Sequence, residues 1–266
     1  MPDHDTPPLE AIRSWVSQQL GLRYDDDRRV VLARRLAALF GDHPGALTEV
    51  WQRLRARDPS TLLELAEIAS TNHTYFFREP EAFELLARHV APTLPAQGPL
   101  RVWSAAASSG EEAYSIAMTL AHVLGRRVLE RLRILGTDIS DKQVRAAERA
   151  EYEASATIHV PVEHHGHFLA EGSRVRVRPE LTRVCTFRRM NLASLAWPFA
   201  HTFHVIFLRN VLYYFDAELR DQVIEACYDA AAPGAHLVVG LSEPLIDVRT
   251  RWHPVVPGLY SKSEGP

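Results

Sequence analysis

The sequence predicts an α/β protein: a mainly parallel sheet covered by helices on both faces, preceded by an all-helical domain. From Leu100 onward, short apolar strand-like runs alternate with helical stretches, the pattern of parallel strands joined by crossover helices. The run 101–115, RVWSAAASSGEEAYS, passes from an apolar strand through tiny residues straight into an acidic helix start. Open α/β sheets build a nucleotide-shaped pocket in this way, at a strand's carboxyl end. Ahead of residue 75, apolar residues recur at helical spacing.

The elements follow in order. Leu9, Ile12, Val16 and Leu20 form a helical stripe that stops at Gly21. Residues 30–40, 47–57 and 61–70 have helix-like composition, separated by breaks at 41–45 and 58–59. Residues 1–75 are therefore expected to form a helical domain, and 76–99 a linker with a helix near 81–89 and the stretch APTLPAQGP. Residues 100–266 form the sheet domain. Within it, 158–186 breaks the alternation: SRVRVRPEL and TRVCTF read as two strands too close together for a helical crossover. A small antiparallel β-subdomain inserted there is expected.

The loop after the first strand narrows the ligand. A dinucleotide fingerprint uses three glycines to bring backbone N–H groups against a pyrophosphate, whereas here only Gly110 is present and Glu111 and Glu112 follow it. A phosphate is disfavoured; a ligand with an adenosine and a cationic end, such as S-adenosylmethionine, suits the acids at the helix start. A plain strand-to-helix turn capped by Ser108 or Ser109 accounts for the loop equally well.

The second strand, LRILGTDIS, ends at Asp138, where an acid commonly accepts ribose hydroxyls, although it lies further from the loop than the roughly 20 residues of the dinucleotide motif. Capping of a helix near Asp141 is the alternative. The third strand, HVIFL, delivers Arg209 and Asn210 to the same edge, followed by Tyr213, Tyr214 and Phe215. An ion pair for Arg209 and core packing for the aromatics are the plainer readings.

Taken together and in order, TNHTYFFREPEAF, RVWSAAASSGEEAYSIAMTL, LGTDIS, the pair Asn191–Leu192 and FLRNVLYYFD resemble the CheR-type chemoreceptor glutamate O-methyltransferases over essentially the whole chain. The resemblance implies a Rossmann-like, S-adenosylmethionine-dependent methyltransferase sheet, with S-adenosylhomocysteine as product. It further implies methylation of glutamate side chains on a receptor's cytoplasmic domain for sensory adaptation. Residue by residue, it implies that Asn72, Thr74 and Arg78 reach the cofactor from the N-terminal side, and that Glu111 lies on the methionine portion. Asp138 is matched to the ribose, Asn191 and Leu192 to the adenine, and Arg209 and Asn210 complete the pocket. Arg78, Arg209 and Tyr214 make up the catalytic neighbourhood, the arginines as groups that position the acceptor carboxylate. Without the resemblance, Asn72 reads as a turn or cap and Arg78 as a surface charge. The family's β-subdomain docks a receptor tail peptide in some members; those carry a longer, glycine-bearing turn than FLAEGSRVRV, so tail-independent action is expected here.

Composition bounds the remaining classes. A formal net charge of -3 argues against binding nucleic acid through a broad basic field. Arg28, Arg29, Arg34 and Arg35 share a helical pattern that in the family meets the receptor, although Asp25, Asp26 and Asp27 would also neutralise it. No stretch approaches the roughly 18 apolar residues of a membrane span, and MPDHDTPPLE lacks the basic start of a secretion signal. A monomer in the cytoplasm, without membrane insertion, is expected. Cys185 and Cys227 give no disulfide framework. His159, His164, His165 and His167 cluster, but the proposed chemistry needs no metal and none is expected. The rival functions are a dinucleotide oxidoreductase, a cofactor-binding signalling adaptor without transfer activity, and a carboxyl methyltransferase serving another sensory-array protein.

Overall fold

The computed structural model describes residues 8–22, 26–69 and 74–264, with side chains outside 26–29 and 69. Four helices come first: α1 (Pro8–Leu20), α2 (Asp26–Phe40), α3 (Ala46–Arg55) and α4 (Pro59–Ala69). Ile12, Val16 and Leu20 of α1, Leu32 and Leu36 of α2, Val50 and Leu54 of α3 and Leu65 of α4 meet in one buried cluster. Helices this short are marginal alone, and the shared apolar stripe is what holds them. The break expected at 58–59 is a helix start: Pro59 opens α4 and the Asp58 carboxylate accepts the Thr61 N–H at 2.9 Å. Hydrogen bonds from the Ser60 and Thr61 hydroxyls hold Asp58 well below the usual carboxylate range.

After α5 (Pro80–Leu85) and further helical turns to residue 93, the chain enters a seven-stranded sheet. Its strands are β1 (Leu100–Ala105), β2 (Leu132–Asp138), β6 (Cys185–Arg189), β7 (Phe203–Leu208), β8 (Ala231–Val239), β9 (His253–Val256) and β10 (Leu259–Ser261). Their order is β6-β2-β1-β7-β8-β10-β9. The first five in that order run parallel, and β10 and β9 are added antiparallel. Side chains alternate between faces. Val102, Ile134, Phe207 and Val238 share one core cluster with the inner face of α6 (Glu111–Val123), while Trp103, Ile206, Leu208 and Leu237 share the other with α9 (Ala217–Ala230). Burial on both faces is why runs such as HVIFL are continuously apolar rather than alternating.

A second sheet, ordered β3-β5-β4, is antiparallel and is built from β3 (Glu151–Glu153), β4 (Phe168–Glu171) and β5 (Arg174–Val177). Here the structure corrects the expected pairing of SRVRVRPEL with TRVCTF. Arg174–Val177 pairs with β3 and β4, whereas Cys185–Arg189 leaves the insertion through the single turn α8 (Pro179–Thr182) and pairs in parallel with β2. Burial explains this: Val184, Cys185 and Phe187 enter the core under α6. The crossover from β2 to β6 is made by α7 (Asp141–Arg149) together with the whole insertion. Both cysteines are buried and free, and burial pushes both thiols up. Among the described residues, no helix is long and apolar enough to cross a membrane.

Gly110, with φ +94°, starts α6 without a side-chain cap, in place of the serine cap anticipated from the sequence. A Cβ there would stand 2.8 Å from the Ala147 Cβ and 3.2 Å from the Ala147 backbone, so only glycine allows α6 to begin against α7. Gly110→Ala is expected to cost about 1–3 kcal/mol, seen as a lower urea midpoint at unchanged slope. An unaltered midpoint would show that this approach is not tight.

Candidate functional site

The sheet order reverses between β1 and β7, and ligands of open α/β sheets bind at the carboxyl ends of the strands beside such a reversal. A cleft lies there, with about 1050 Å³ of empty space, the open solvent at its mouth included. Each strand contributes the residues that follow it: Ala106–Ser108 after β1, Asp138 and Ile139 at the end of β2, Met190–Leu192 after β6, and Arg209–Val211 after β7.

The turn after β1 is wound tightly without a glycine fingerprint. Ala106 (φ +62°) and Ser108 (φ +48°) both take the left-handed conformation, which is costly for residues with a Cβ and persists only where the surroundings impose it. Asp138 does so: its carboxylate accepts the Ser108 N–H and the Ser140 N–H, each at 2.9 Å. Ser140, rather than Asp138, caps α7, accepting the Gln143 N–H. Burial is the main cause that pushes Asp138 up to about 6, with the Glu67 charge adding to it against the backbone hydrogen bonds. The Ser108 hydroxyl is buried on the cleft wall without a hydrogen-bond partner among the described residues.

A charged network closes the far end. The Arg209 guanidinium, 1% exposed, pairs with Glu112 at 2.9 Å and Glu79 at 3.3 Å, and donates to the Arg78 carbonyl at 2.5 Å. Burial raises the Glu112 carboxyl, opposed by the Arg209 charge and by the Ser104 hydroxyl at 2.7 Å. Burial also acts to raise Glu79, but the Asn210 amide at 2.8 Å and Arg209 outweigh it and hold that carboxyl below its ordinary value. Glu243, raised by burial, accepts the Asn210 and Tyr213 N–H groups and fixes the start of the tyrosine turn. Tyr213 and Tyr214 follow at the mouth, their hydroxyls 3.5 Å apart.

The remaining wall comes from the helical bundle. Leu20 and Leu22 line the cleft beside Ile139, Met190 and Leu192, and the Asn191 amide donates to the Gln19 carbonyl at 3.0 Å. From α4, Glu67 accepts the Ser140 hydroxyl at 2.5 Å and the Lys142 N–H at 2.9 Å. On α2, Arg34 is exposed and Arg35 donates to the Ile68 carbonyl at 2.6 Å near the end of α4; the Arg28 and Arg29 side chains lie outside the described residues.

Of the residues singled out in the sequence, Thr74, Arg78, Asp138, Asn191, Leu192, Arg209, Asn210 and Tyr214 line this one cleft. Asn72 lies outside the described residues. Glu111 does not line it. Successive helical residues point about 100° apart; Glu111 accepts from the Ser109 hydroxyl at 2.8 Å, and Glu112 takes the cleft position. Arg209 lines the cleft but is committed to Glu112 and Glu79; Arg78 lines it too, with its guanidinium 4.0 Å from Glu79. Sequence reasoning missed Leu20, Leu22 and Tyr75, which belong to segments remote from the sheet, and Ile139 and Met190. Position supplied a signal for those two, since each is next to a singled-out residue at a strand end.

The donor set fits S-adenosylmethionine. Along the strand order, the apolar Met190 and Leu192 follow β6, the buried Asp138 ends β2, Ser108 follows β1, and Glu112 at the start of α6 lies against Arg209 after β7; a pyrophosphate would meet Glu112 there. Among the described residues, no three His, Cys, Asp or Glu side chains are grouped to hold a metal ion.

The chain matches the family model described as "CheR methyltransferase, SAM binding domain" over residues 72–258. It is 37% identical over 224 residues to a chemotaxis protein methyltransferase of Klebsiella aerogenes, covering 80% of this chain and 73% of that one. Over 220 residues it is 33% identical to chemotaxis protein methyltransferase 2 of Pseudomonas aeruginosa, covering 81% and 77%. The likeness to the chemotaxis protein methyltransferase of Borreliella burgdorferi, 29% identity over 268 residues, spans 96% of this chain and 94% of that one.

Proposed function

This chain belongs to the CheR methyltransferase family, with S-adenosylmethionine as cofactor, and on that premise we propose that it is a protein-glutamate O-methyltransferase. Its acceptors are glutamate side chains on the cytoplasmic domain of a chemoreceptor, which it modifies in the cytoplasm for sensory adaptation. The observation that carries the reading is the order of the lining along the strand ends: Met190 and Leu192 after β6, Asp138 at the end of β2, Ser108 after β1, and Arg209 with its partner Glu112 after β7, with Arg78, Tyr213 and Tyr214 also on the wall.

Leu20, Leu22, Ile139, Met190 and Leu192 would hold the adenine, with Asn191 at its edge. Asp138 would accept the ribose hydroxyls, and Glu112 would face the ammonium of the methionine end. Thr74, Arg78 and Asn210 complete the enclosure, and Asn72 is assigned there by family resemblance alone. When bound, S-adenosylmethionine supplies an electrophilic methyl group on a sulfonium. A glutamate with a pKa of about 4.3 is already ionised at neutral pH, so the chain needs no general base. What its residues contribute is alignment and partial exclusion of water: Arg78 attracts and orients the acceptor carboxylate, and Tyr213 and Tyr214 wall the transfer point.

Transfer of radiolabelled methyl from S-adenosylmethionine to receptor-containing membranes tests this. Label released by alkali, and absent with Asp138→Ala, is expected. A wild type that binds cofactor but labels nothing, or that leaves alkali-stable label, would rule out the carboxyl reading. The connection from β4 to β5 is only Gly172–Ser173, compact for a peptide dock, and receptors lacking their C-terminal residues are expected to be methylated at the full-length rate. A severalfold slower rate would reverse that assignment.

The Asp138 carboxyl near 6 gives a pH signature, because only the ionised form leaves both oxygens as acceptors. The sign is fixed by the raised value: protonation at lower pH weakens binding. S-adenosylhomocysteine affinity is expected to fall about tenfold from pH 7 to pH 5, where an ordinary aspartate near 3.9 would leave it nearly flat. Calorimetric titration across that range decides; a flat profile would remove Asp138 from the ligand.

A further inference from the structure

The geometry points to a second use of the β-insertion: His164, with Tyr152, Phe168 and His159, clamps the segment that carries Thr74 and Arg78 to the cofactor cleft, and so acts as a set of positioning residues for cofactor binding. The inference rests on the reading of the cleft given above.

Residues 75–77 lie between Thr74 and Arg78, and each meets a ring from the insertion. Tyr75 lies 5.1 Å from the His159 ring; Phe76 is held edge-on between Tyr152 at 4.8 Å and Phe168 at 5.1 Å; Phe77 lies nearly flat on His164, at 4.8 Å and 15°. Phe76 is fully buried, and Phe77 and His164 are nearly so. The backbone here needs holding. Phe77 (φ +56°) and Glu79 (φ +54°) both take the left-handed conformation on either side of Arg78, and such residues relax unless their surroundings over-determine them. The Phe77 N–H is also fixed, donating to the Ser115 hydroxyl at 3.0 Å. The same insertion reaches the loop after β1, where the Tyr152 hydroxyl donates to the Ser109 carbonyl at 2.7 Å.

His164 suits a ring clamp rather than a polar task. Burial pushes it down to about 4, so it is a neutral ring at physiological pH, and its Nδ1 has no partner among the described residues. Its neighbours are the His122 ring at 5.4 Å and the His167 ring at 6.1 Å. A flat apolar ring of similar size satisfies every contact on which the clamp depends.

Two readouts test this without turnover: amide hydrogen exchange at Phe77 in the ligand-free protein, and the dissociation constant for S-adenosylhomocysteine by calorimetry. His164→Ala is expected to speed exchange at Phe77 at least tenfold and to weaken binding about tenfold, while His164→Phe restores both to within about threefold. Faster exchange confined to the Phe77 segment, at an unchanged melting temperature and reversed by the flat ring, is what a merely structural contribution to the fold would not produce. A folded His164→Ala that exchanges and binds like the wild type would overturn the clamp, as would a His164→Phe no better than alanine. If His164→Ala does not fold, the exposed His159→Ala decides through Tyr75: binding weakened severalfold supports the clamp, and unchanged binding refutes it. Absence of S-adenosylhomocysteine binding in the wild type would instead defeat the reading of the cleft.

Discussion

Arg209→Met is expected to lower stability by about 3–5 kcal/mol and the melting temperature by on the order of 10 °C for a chain of this size, with loss of cofactor binding. The guanidinium is almost completely buried between Glu112 and Glu79 and also supports the Arg78 carbonyl. Its removal leaves Glu112 and Glu79 close together with only the more distant Arg78, 4.0 Å from Glu79, as countercharge. Breaking a buried pair costs more than the pair contributed, because the surviving ion has lost both water and partner. The double variant Arg209→Met with Glu112→Gln removes one of those ions and is expected to recover part of the loss by calorimetry. A single variant melting within about 2 °C of the wild type would mean that water or a neighbour already compensates the acids.

Asp138→Ala is expected to weaken S-adenosylhomocysteine binding at least 100-fold, about 2.7 kcal/mol, with a smaller loss of thermal stability. The two effects differ in size because burial penalises the ionised Asp138 in the folded protein, while the Ser108 and Ser140 N–H groups lose the acceptor that holds their turn. What the variant loses is the ligand's acceptor and the tie between the turn after β1 and the end of β2. Calorimetric binding beside a circular-dichroism melt checks both parts. A variant that binds within about threefold of the wild type would end the assignment.

The strand ends were legible in the sequence because parallel strands buried on both faces are continuously apolar, so the first polar residue after each marks the cleft edge. Asp138, Arg209 and Asn210 were found in this way, whereas Asn191 came from the family resemblance because the strand before it was read into the insertion. The choice between Glu111 and Glu112 was not legible: the two are adjacent at the start of α6, and the direction of each depends on where Gly110 starts the helix. The assignment of Cys185–Arg189 failed for a related reason. Close spacing to the preceding strand suggested a hairpin, but core burial draws that strand to the open edge of β2, a long-range preference that local spacing does not carry. Leu20 and Leu22 were invisible because their contribution comes from packing α1 across the ends of β2 and β6.

That wall has a thermodynamic consequence. The cofactor cleft is bounded on one side by the sheet and on another by Leu20 and Leu22, with the bundle tied down by Gln19 to Asn191 and by Glu67 to Ser140 and Lys142. A ligand that bridges two packed layers adds to their adhesion, and binding free energies are reciprocal. Whatever factor cofactor occupancy contributes to a partner's grip on the N-terminal helices, that partner returns as tighter retention of the cofactor.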